Sequence, residues 1–430
     1  MNKKLLSYAF FLFLISSCLI FAQIIFFPIN SQFISINLML YSMGKFAGLI
    51  GFLFLSILII SGDTARFFDR FIGMDKIIKF QRKFALIITI FILFHPIFFI
   101  LSNSSYAAYL IPYYASIPLA LGIIALYLYV IIMVSSILYK RISYQIWQYI
   151  HILTYILFFF SLYHALNIGS DAGNIFVKTI FGVLLIGIVT GGFYRGYYKI
   201  KHRKFKCYVK EIKWETPDVF TLRLKPNKKL NFKPGQFCFL RINKDKLYAR
   251  HPFTISSSPN EDTLDFTMKI TGRFTKIASQ LKKGEEVIVD GPFGAFTIED
   301  NKKDLVFIAG GVGITPFISM IKDRLHLDKK QNITLLYGAK TKESIIFRKE
   351  LDKVNKKWFK KIYVLSKEEK SSEDWKKGYI NSELIKNNVD NLENSLFYIC
   401  GPEQMKDEMI KILKNIGIKK QNIKIESFFW

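Results

Sequence analysis

Trp147-Gln-Tyr-Ile-His151-Ile-Leu-Thr-Tyr-Ile-Leu-Phe-Phe-Phe-Ser-Leu-Tyr-His164-Ala-Leu-Asn-Ile168 is an apolar run long enough to cross a bilayer, and it carries two histidines. They are 13 residues apart. On a helix rising about 1.5 Å per residue, one imidazole stands roughly 20 Å above the other, near opposite faces of a hydrocarbon core about 30 Å thick. Two imidazoles at two depths suit stacked metal centres. A third histidine, His95, stands toward the far end of another apolar run, FALIITIFILFHPIFFIL at 84–101, and could complete a bis-imidazole pair with one of them. Haem iron is the metal that most often takes such axial ligands. The competing reading is three buried histidines bonded to neighbouring hydroxyls or carbonyls. Redox ligation is preferred, because ionisable side chains at membrane depth are rare and default to function.

The chain has 430 residues, 51% of them hydrophobic, with a mean hydropathy of +0.24, which is more than one ordinary domain and too apolar to be wholly soluble. The excess lies in the first 200 residues, where six spans of about 20 residues each are read at 5–27, 38–61, 84–101, 117–138, 146–168 and 175–195. Residues 201–430 are polar and mixed.

A net charge of +27 would suit a nucleic-acid binder, but its placement argues otherwise. Residues 1–200 carry 14 Lys+Arg against 4 Asp+Glu, and the basic residues collect on alternate loops. Lys3 and Lys4 precede the first span, and Arg66, Arg70, Lys76, Lys79, Arg82 and Lys83 separate the second from the third. Lys140 and Arg141 follow the fourth, and Arg195 and Lys199 the sixth, whereas segments 28–37, 102–116 and 169–174 contain neither residue type. By the positive-inside rule both termini are expected in the cytoplasm, with the spans in the inner or plasma membrane. The other 46 Lys+Arg and 29 Asp+Glu, of 60 and 33 in all, form no basic-aromatic array, so no nucleic-acid partner is expected.

Cys18 lies in the first span, and Cys207, Cys238 and Cys400 are expected in the cytoplasm, so no disulfide framework follows. Ile15-Ser16-Ser17-Cys18 is faintly like a lipoprotein cleavage box, but hydrophobicity continues past Cys18 and an uncleaved first span is preferred. Lys45 and Lys178 interrupt the second and sixth spans in what should be the outer leaflet. Snorkelling to the interface is the expected account, the alternative being a charge for haem propionates or an anionic acceptor.

Gln81-Arg82-Lys83 leading to His95-Pro96, then Trp147-x-x-x-His151 and His164, resembles the six-span haem domain of the ferric reductase and NADPH oxidase superfamily. The resemblance implies two b haems, held by two histidines on the third span and two on the fifth. His95 and His164 match its outer pair and His151 matches one inner ligand, while Gln81 occupies the position of the other. Fourteen residues turn a helix by about 1,400°, so Gln81 lies on the His95 face about 21 Å below it. Glutamine is a poor haem ligand. The expectation is one haem or two: an outer haem on His95 and His164, and an inner one held by His151 with a weak or exchangeable sixth ligand. A three-histidine pattern is also found in the haem membrane subunit of the bacterial periplasmic methionine sulfoxide reductase system, to which this region is similar.

From Lys206 to about Ile298, short alternating runs such as CYVKEI, FTLRLK, FCFLRI and LDFTMKI between Pro, Gly and Asn turns predict a small antiparallel barrel. Phe232-Lys-Pro-Gly-Gln-Phe237 punctuates it. Arg250-His251-Pro252-Phe253-Thr254-Ile255-Ser256-Ser257 sets a cation, a ring and hydroxyls along one strand and its exit. Such a set can grip a flavin: charge for pyrophosphate, ring against ribityl or isoalloxazine, hydroxyl toward the ring nitrogens. It could equally be an ordinary strand edge. Lys269-Ile-Thr-Gly272-Arg-Phe-Thr275 has the form of a phosphate loop entering a short helix, and Asp290-Gly-Pro-Phe-Gly294 closes the barrel. This ordered series resembles the FAD domain of the ferredoxin-NADP reductase superfamily, with HPFT in the form used by ferric reductases and NADPH oxidases.

Asp304-Leu-Val-Phe-Ile-Ala-Gly310-Gly311-Val-Gly313-Ile-Thr315-Pro316 reads as a buried strand, a glycine turn and a helix start. The glycines would let the backbone approach a dinucleotide pyrophosphate. This spacing, with Tyr398-Ile-Cys400-Gly401-Pro402-Glu-Gln-Met405, resembles the nicotinamide domain of the same reductases, and the resemblance places Cys400 beside the nicotinamide ring. After the strand Ile333 to Tyr337 come Lys340 and Lys342, which favour a 2′-phosphate and so NADPH, with NADH possible. The chain ends on Trp430, similar to reductases whose terminal ring covers the isoalloxazine where nicotinamide docks.

The expected protein is therefore multidomain. An α-helical six-span membrane bundle over 1–200 carries haem; an antiparallel β-barrel FAD domain covers 203–300; an α/β nucleotide-binding domain covers 303–430. It would be an oxidoreductase passing electrons from NADPH through FAD, with Thr254, Cys400 and Trp430 at the hydride-transfer site, and through b-type haem to an acceptor outside. That acceptor is oxygen, giving superoxide, or ferric iron; the alternative is an extracytoplasmic protein such as a methionine sulfoxide reductase. A transporter or channel with a nucleotide-sensing domain would also explain six spans, but leaves His95 and His164 unexplained.

Overall fold

A computed structural model describes residues 3–26, 35–103, 106–139, 141–201, 205–242, 251–299, 303–327 and 331–426. The chain divides into two compact units, Met1–Ile72 with Lys76–Arg203, and Gly73–Asp75 with Lys204–Trp430.

The first unit is a helical bundle: α1 (Lys3–Phe26), α2 (Ile36–Asp63), α3 (Ala65–Ile72), α4 (Met74–Asn103), α5 (Tyr106–Leu110), α6 (Ile117–Ile137), α7 (Tyr144–Ile168) and α8 (Ile175–Lys201). Side-chain caps start two of the long helices: the Ser35 hydroxyl accepts from the Leu38 N–H of α2, and Ser143 from the Ile146 N–H of α7. Pro118 sits in the first turn of α6, where its missing N–H costs nothing. Five helices are long and apolar enough to cross a membrane, and α1 adds a shorter apolar stretch, Phe11–Phe26. Stacked and edge-on rings tie α2 to α7 and α8, with Phe52 at 5.4 Å from Phe158 and 4.8 Å from Phe181.

One expectation is corrected here. The basic stretch between the second and third spans is helix, not loop: α3 holds Arg66, and Lys76, Lys79, Arg82 and Lys83 lie on the first turns of α4, exposed. Nothing in Lys76–Lys83 breaks a helix, and Ile77, Phe84 and Ile88 keep one buried stripe running into the membrane segment.

The second unit begins with β1 (Phe205–Thr216), β2 (Val219–Pro226), β3 (Phe237–Ile242), β4 (His251–Thr254), β5 (Leu264–Lys269), α9 (Arg273–Ala278) and β6 (Glu286–Phe293). Its strands form one antiparallel sheet in the order β4-β3-β6-β1-β2-β5. The two edge strands come together where Ile255, just past β4, bridges Phe266 of β5. Cys207, Phe220, Leu222, Leu240, Phe266 and Val287 fill the interior, as the alternating runs require. Burial pushes the Cys207 thiol up to about 12, so it behaves as a small apolar group.

A parallel sheet follows, built from β7 (Asp304–Gly310), α10 (Thr315–Arg324), β8 (Ile333–Ala339), α11 (Arg348–Asp352), β9 (Phe359–Leu365), β10 (Trp375–Lys377), α12 (Ser382–Asn388), β11 (Ser395–Cys400), α13 (Glu403–Asn415) and β12 (Ile423–Glu426). Its order is β10-β9-β8-β7-β11-β12. Central strands β7 and β11 are apolar after their first residues, Asp304 and Ser395, as strands of a parallel sheet covered on both faces require. The chain runs from β7 outward to β8 and later returns to β11 on the other side of β7. That reversal opens a crevice at the carboxyl ends of β7 and β11. The barrel and the parallel sheet are joined by Ser319 Oγ, which donates to the Ser257 carbonyl at 2.6 Å, and by Lys213 and Glu350 at 2.7 Å.

Candidate functional site

In the bundle, α2 presents Gly44, Gly48 and Gly51 along one face, and α4 lies close against it through Phe98, His95 and Ile92. A Cβ on Gly48 would fall 2.5 Å from His95 Nδ1, so the imidazole fits only because the residue is glycine. Gly122 of α6 does the same for His164, at 2.4 Å from its Nδ1. His95 Nδ1 is 2.8 Å from the Gly44 carbonyl, and His164 Nδ1 is 3.1 Å from the Pro118 carbonyl. A carbonyl can only accept, so both rings carry hydrogen on Nδ1 and keep the Nε2 lone pair for another partner.

The two ring centres are 6.1 Å apart and their planes cross at 87°. Two imidazoles sharing one metal through nitrogens at about 2 Å each have ring centres about 6 Å apart, and the separation of this pair matches that. The carbonyl-anchored Nδ1 is the usual outer-shell device that fixes a metal-ligating imidazole. Phe99 packs edge-on against His95 at 5.1 Å. Gly48 and Gly122 escaped notice in the sequence; their only signal is a glycine inside an apolar span.

Lys45 does not snorkel. It forms an ion pair with Asp171, 2.9 and 2.8 Å to the two carboxylate oxygens, and both side chains are largely buried. At the other end of the bundle His151 and Gln81 do not repeat the outer geometry: Gln81 Nε2 donates to Ser61 Oγ at 3.1 Å, and the His151 ring stacks on Trp147 at 4.0 Å. Among the described residues no group of three or more His, Cys, Asp or Glu side chains could hold a metal by themselves.

In the antiparallel sheet, β4 is an edge strand paired with β3, Thr254 opposite Phe237 and His251 opposite Leu240. His251, Pro252 and Phe253 are half-buried and Thr254 is buried. The Phe274 ring lies 4.2 Å from the His251 ring and 5.6 Å from that of Phe253, linking the strand to the start of α9. Burial lowers the basicity of His251, which is neutral at pH 7. Arg250 lies outside the described residues. The Ser257 hydroxyl is fully buried and accepts from the Asp265 N–H at 3.1 Å, turning inward instead of lining the edge. Lys269 is exposed and pairs with Asp218 at 3.1 Å. Thr275 Oγ1 accepts from the Thr271 and Gly272 N–H groups, knotting the loop before α9.

In the parallel sheet, the glycine turn after β7 abuts the segment after β11. A Cβ on Gly310 would meet Met405 at 2.4 Å, and one on Gly313 would meet the Cys400 carbonyl at 2.3 Å. A Cβ on Gly401 would lie 3.0 Å from Met405. Gly313 thus serves a contact between two backbones, while Gly310 and Gly401 make room for the Met405 side chain. Gly311 is different: its φ is +53° and open space lies before it, so this is where a phosphate can approach the chain. Thr315 and Pro316, both buried, begin α10. Cys400 is fully buried and desolvation holds its thiol well above the usual range, which keeps it neutral. The Tyr398 hydroxyl, pushed up to about 12 by burial, donates to the Thr297 carbonyl and accepts from the Glu299 N–H.

Lys340 and Lys342 are exposed beyond β8. Glu368, brought from the end of β9, accepts from the Lys342 backbone N–H at 3.0 Å, an acidic neighbour that linear spacing did not reveal. Trp430 lies outside the described residues. The last described residue, Glu426, stands opposite Cys400 in the β11–β12 pairing.

Comparison with known proteins gives three family matches: residues 47–162 match the ferric reductase like transmembrane component, residues 204–297 an FAD-binding domain, and residues 307–411 the oxidoreductase NAD-binding domain. One component of the Na(+)-translocating NADH-quinone reductase of Yersinia enterocolitica is 33% identical over 159 residues, 34% of this chain and 38% of that protein. Its counterpart in Neisseria meningitidis is 32% identical over 164 residues, 36% and 40% of the two chains. The chain thus spans about two fifths of the length of these curated relatives. Among solved structures, a flavohemoglobin from Malassezia yamatoensis is similar in fold, with a TM-score of 0.51 and 22% identity over 64% of this chain and 73% of that one. One chain thus combines matches to a ferric reductase like transmembrane component, an FAD-binding domain and an NAD-binding domain, with five helices long and apolar enough to cross a membrane among its described residues.

Proposed function

This chain belongs to the ferric reductase/NADPH oxidase superfamily, and we propose that it carries electrons from cytoplasmic NADPH through FAD and b-type haem to an acceptor beyond the membrane. Both termini then lie in the cytoplasm, since the basic residues of the first 200 collect on that side. The observation that carries the reading is the facing pair His95 and His164, 6.1 Å apart and each anchored at Nδ1, in a chain that also holds FAD-binding and NAD-binding domains.

When bound, FAD would supply hydride acceptance from nicotinamide, and haem iron would supply one-electron transfer. The chain's own residues bind and orient. His95 and His164 would hold iron through Nε2, with Gly48 and Gly122 keeping both rings clear of the neighbouring helices. Along the β4 edge, His251, Pro252, Phe253 and Thr254 would seat the flavin, with Arg250 before them and Lys269, Gly272 and Thr275 toward its phosphates. Gly310, Gly311, Gly313, Thr315 and Pro316 with Gly401 and Pro402 shape the crevice for the nicotinamide dinucleotide. The neutral, fully buried Cys400 thiol would support that crevice from within the core and would not act as a nucleophile. Trp430 follows Glu426 by four residues and would stack on the flavin, yielding its place when nicotinamide docks.

Exposed Lys340 and Lys342 support NADPH. NADH is the second reading, favoured by Glu368 beside Lys342 and by the NADH in the curated relatives' names. The acceptor proposed is oxygen, giving superoxide, or ferric iron, with a protein such as an extracytoplasmic methionine sulfoxide reductase as the alternative. The test is anaerobic addition of NADPH or NADH to the full chain in detergent. Reduced b-type bands should appear and then decay on addition of the true acceptor, whereas a preparation without haem bands would sink the proposal.

A further inference from the structure

The superfamily resemblance implies a second haem near the cytoplasmic end, and the residues there do not fit one. Gln81 lies about 21 Å along α4 from His95, and His151 about 20 Å along α7 from His164. In the outer pair two imidazoles on different helices come together; here His151 keeps the same Nδ1–carbonyl contact, but the second position is an amide already bonded elsewhere. The Gln81 amide donates to Ser61 on α2 at 3.1 Å. His151 Nδ1 is 3.3 Å from the Trp147 carbonyl of its own helix, and its Nε2 is 3.5 Å from Ser136 Oγ on α6. An amide committed to a hydroxyl and an imidazole turned toward α6 do not make an axial pair.

The same end is tied by charge instead. Asp63, the last residue of α2, is buried and accepts from Tyr155 on α7 at 2.6 Å and Arg195 on α8 at 3.1 Å. Tyr155 is one turn from His151 on the same helix. Gly191 makes the approach possible, since its Cβ would stand 3.2 Å from that of Asp63. The second carboxylate oxygen, Oδ2, is buried without a hydrogen-bond partner. A bis-imidazole haem like the one the outer pair suits needs apolar walls and two nitrogen donors, and this end offers an ionic cross-tie between three helices and a single imidazole.

We infer that this chain binds one haem, on His95 and His164, and that its cytoplasmic end is closed by the Asp63–Tyr155–Arg195 cross-tie where a second haem would otherwise sit. The inference rests on the haem reading above and runs against the expectation of an inner haem on His151. The test is the haem-to-protein ratio of the full chain purified with excess haemin, in wild type, His95→Ala and His151→Ala, with a redox titration of the wild type. Ratios of one, zero and one, and a single one-electron component, are expected. A wild-type ratio of two, falling to one in His151→Ala, overturns the inference while the haem reading stands. A wild-type ratio of zero overturns both. A ratio of one that survives His95→Ala and is lost in His151→Ala places the haem at the wrong end and overturns the inference. The wild-type ratio and titration decide even if a variant fails to fold.

Discussion

His95 and His164 face each other at 6.1 Å across two helices, and each is held from behind by a backbone carbonyl, of Gly44 and Pro118 respectively. Those two carbonyl contacts fix the orientation of the rings. Their position depends on two glycines that leave no margin: a methyl on Gly48 or Gly122 would stand 2.5 or 2.4 Å from a ring nitrogen. Gly48→Ala and Gly122→Ala are therefore each expected to displace an imidazole, at an overpacking cost of about 1–3 kcal/mol. Haem content should fall several-fold in either variant while FAD content stays at the wild-type level; unchanged haem bands in both would refute this account of the glycines.

The Lys45–Asp171 pair is largely buried at the end of the bundle near His95. Removing one partner strands the other, so Lys45→Met and Asp171→Asn should each lower stability by about 1–2 kcal/mol, less than a fully buried pair because both groups keep some exposure. The double variant should recover part of that loss. Thermal unfolding of the three proteins in one detergent measures the coupling, and strictly additive losses would show that the pair contributes nothing.

His251 supplies a pH dependence whose sign follows from burial. Its folded-state basicity lies below the ordinary histidine value, so protons bind more readily to the unfolded chain. Stability from this residue is complete above the unfolded pKa of about 6.5 and is lost as pH falls below it. A scan of melting temperature from pH 8 to pH 5 should show a decline that flattens in His251→Phe. Identical slopes in the two proteins would mean that His251 titrates normally.

Gly313 lies so near the Cys400 carbonyl, 2.3 Å from a built Cβ, that alanine must push the two backbone segments apart. Gly313→Ala is expected to slow flavin reduction by NADPH at least tenfold, with FAD retained. The neutral, buried Cys400 should resist alkylation at pH 8 in the folded protein and react only after unfolding, which mass spectrometry reads directly.

Trp430→Ser tests the terminal ring. If that ring covers the flavin, the substitution should change nicotinamide affinity and the rate of hydride transfer while FAD remains bound. Steady-state kinetics identical to wild type would remove the stacking role.

The sequence alone was enough for the membrane bundle, the antiparallel sheet and the parallel sheet, because each has a strong local signature. Apolar runs of about 20 residues make spans, period-two alternation makes half-buried strands, and continuous apolar strands before glycine turns make a covered parallel sheet. The three histidines, HPFT and the glycine turn stood out as candidates for the same reason: residue type and spacing are written in the sequence. What needed the tertiary structure was every relationship between helices or strands far apart in the chain. Only packing could show that Gly48 clears space for His95, 47 residues later, or that Gly310 and Gly313 serve the segment after β11 and leave Gly311 to face open space. Only packing could turn Gln81 toward Ser61 and join Asp63 to Tyr155 and Arg195. Helical periodicity sets which face a side chain occupies, but the partner on that face is chosen by how the helices cross, and crossing is a property of the assembled bundle.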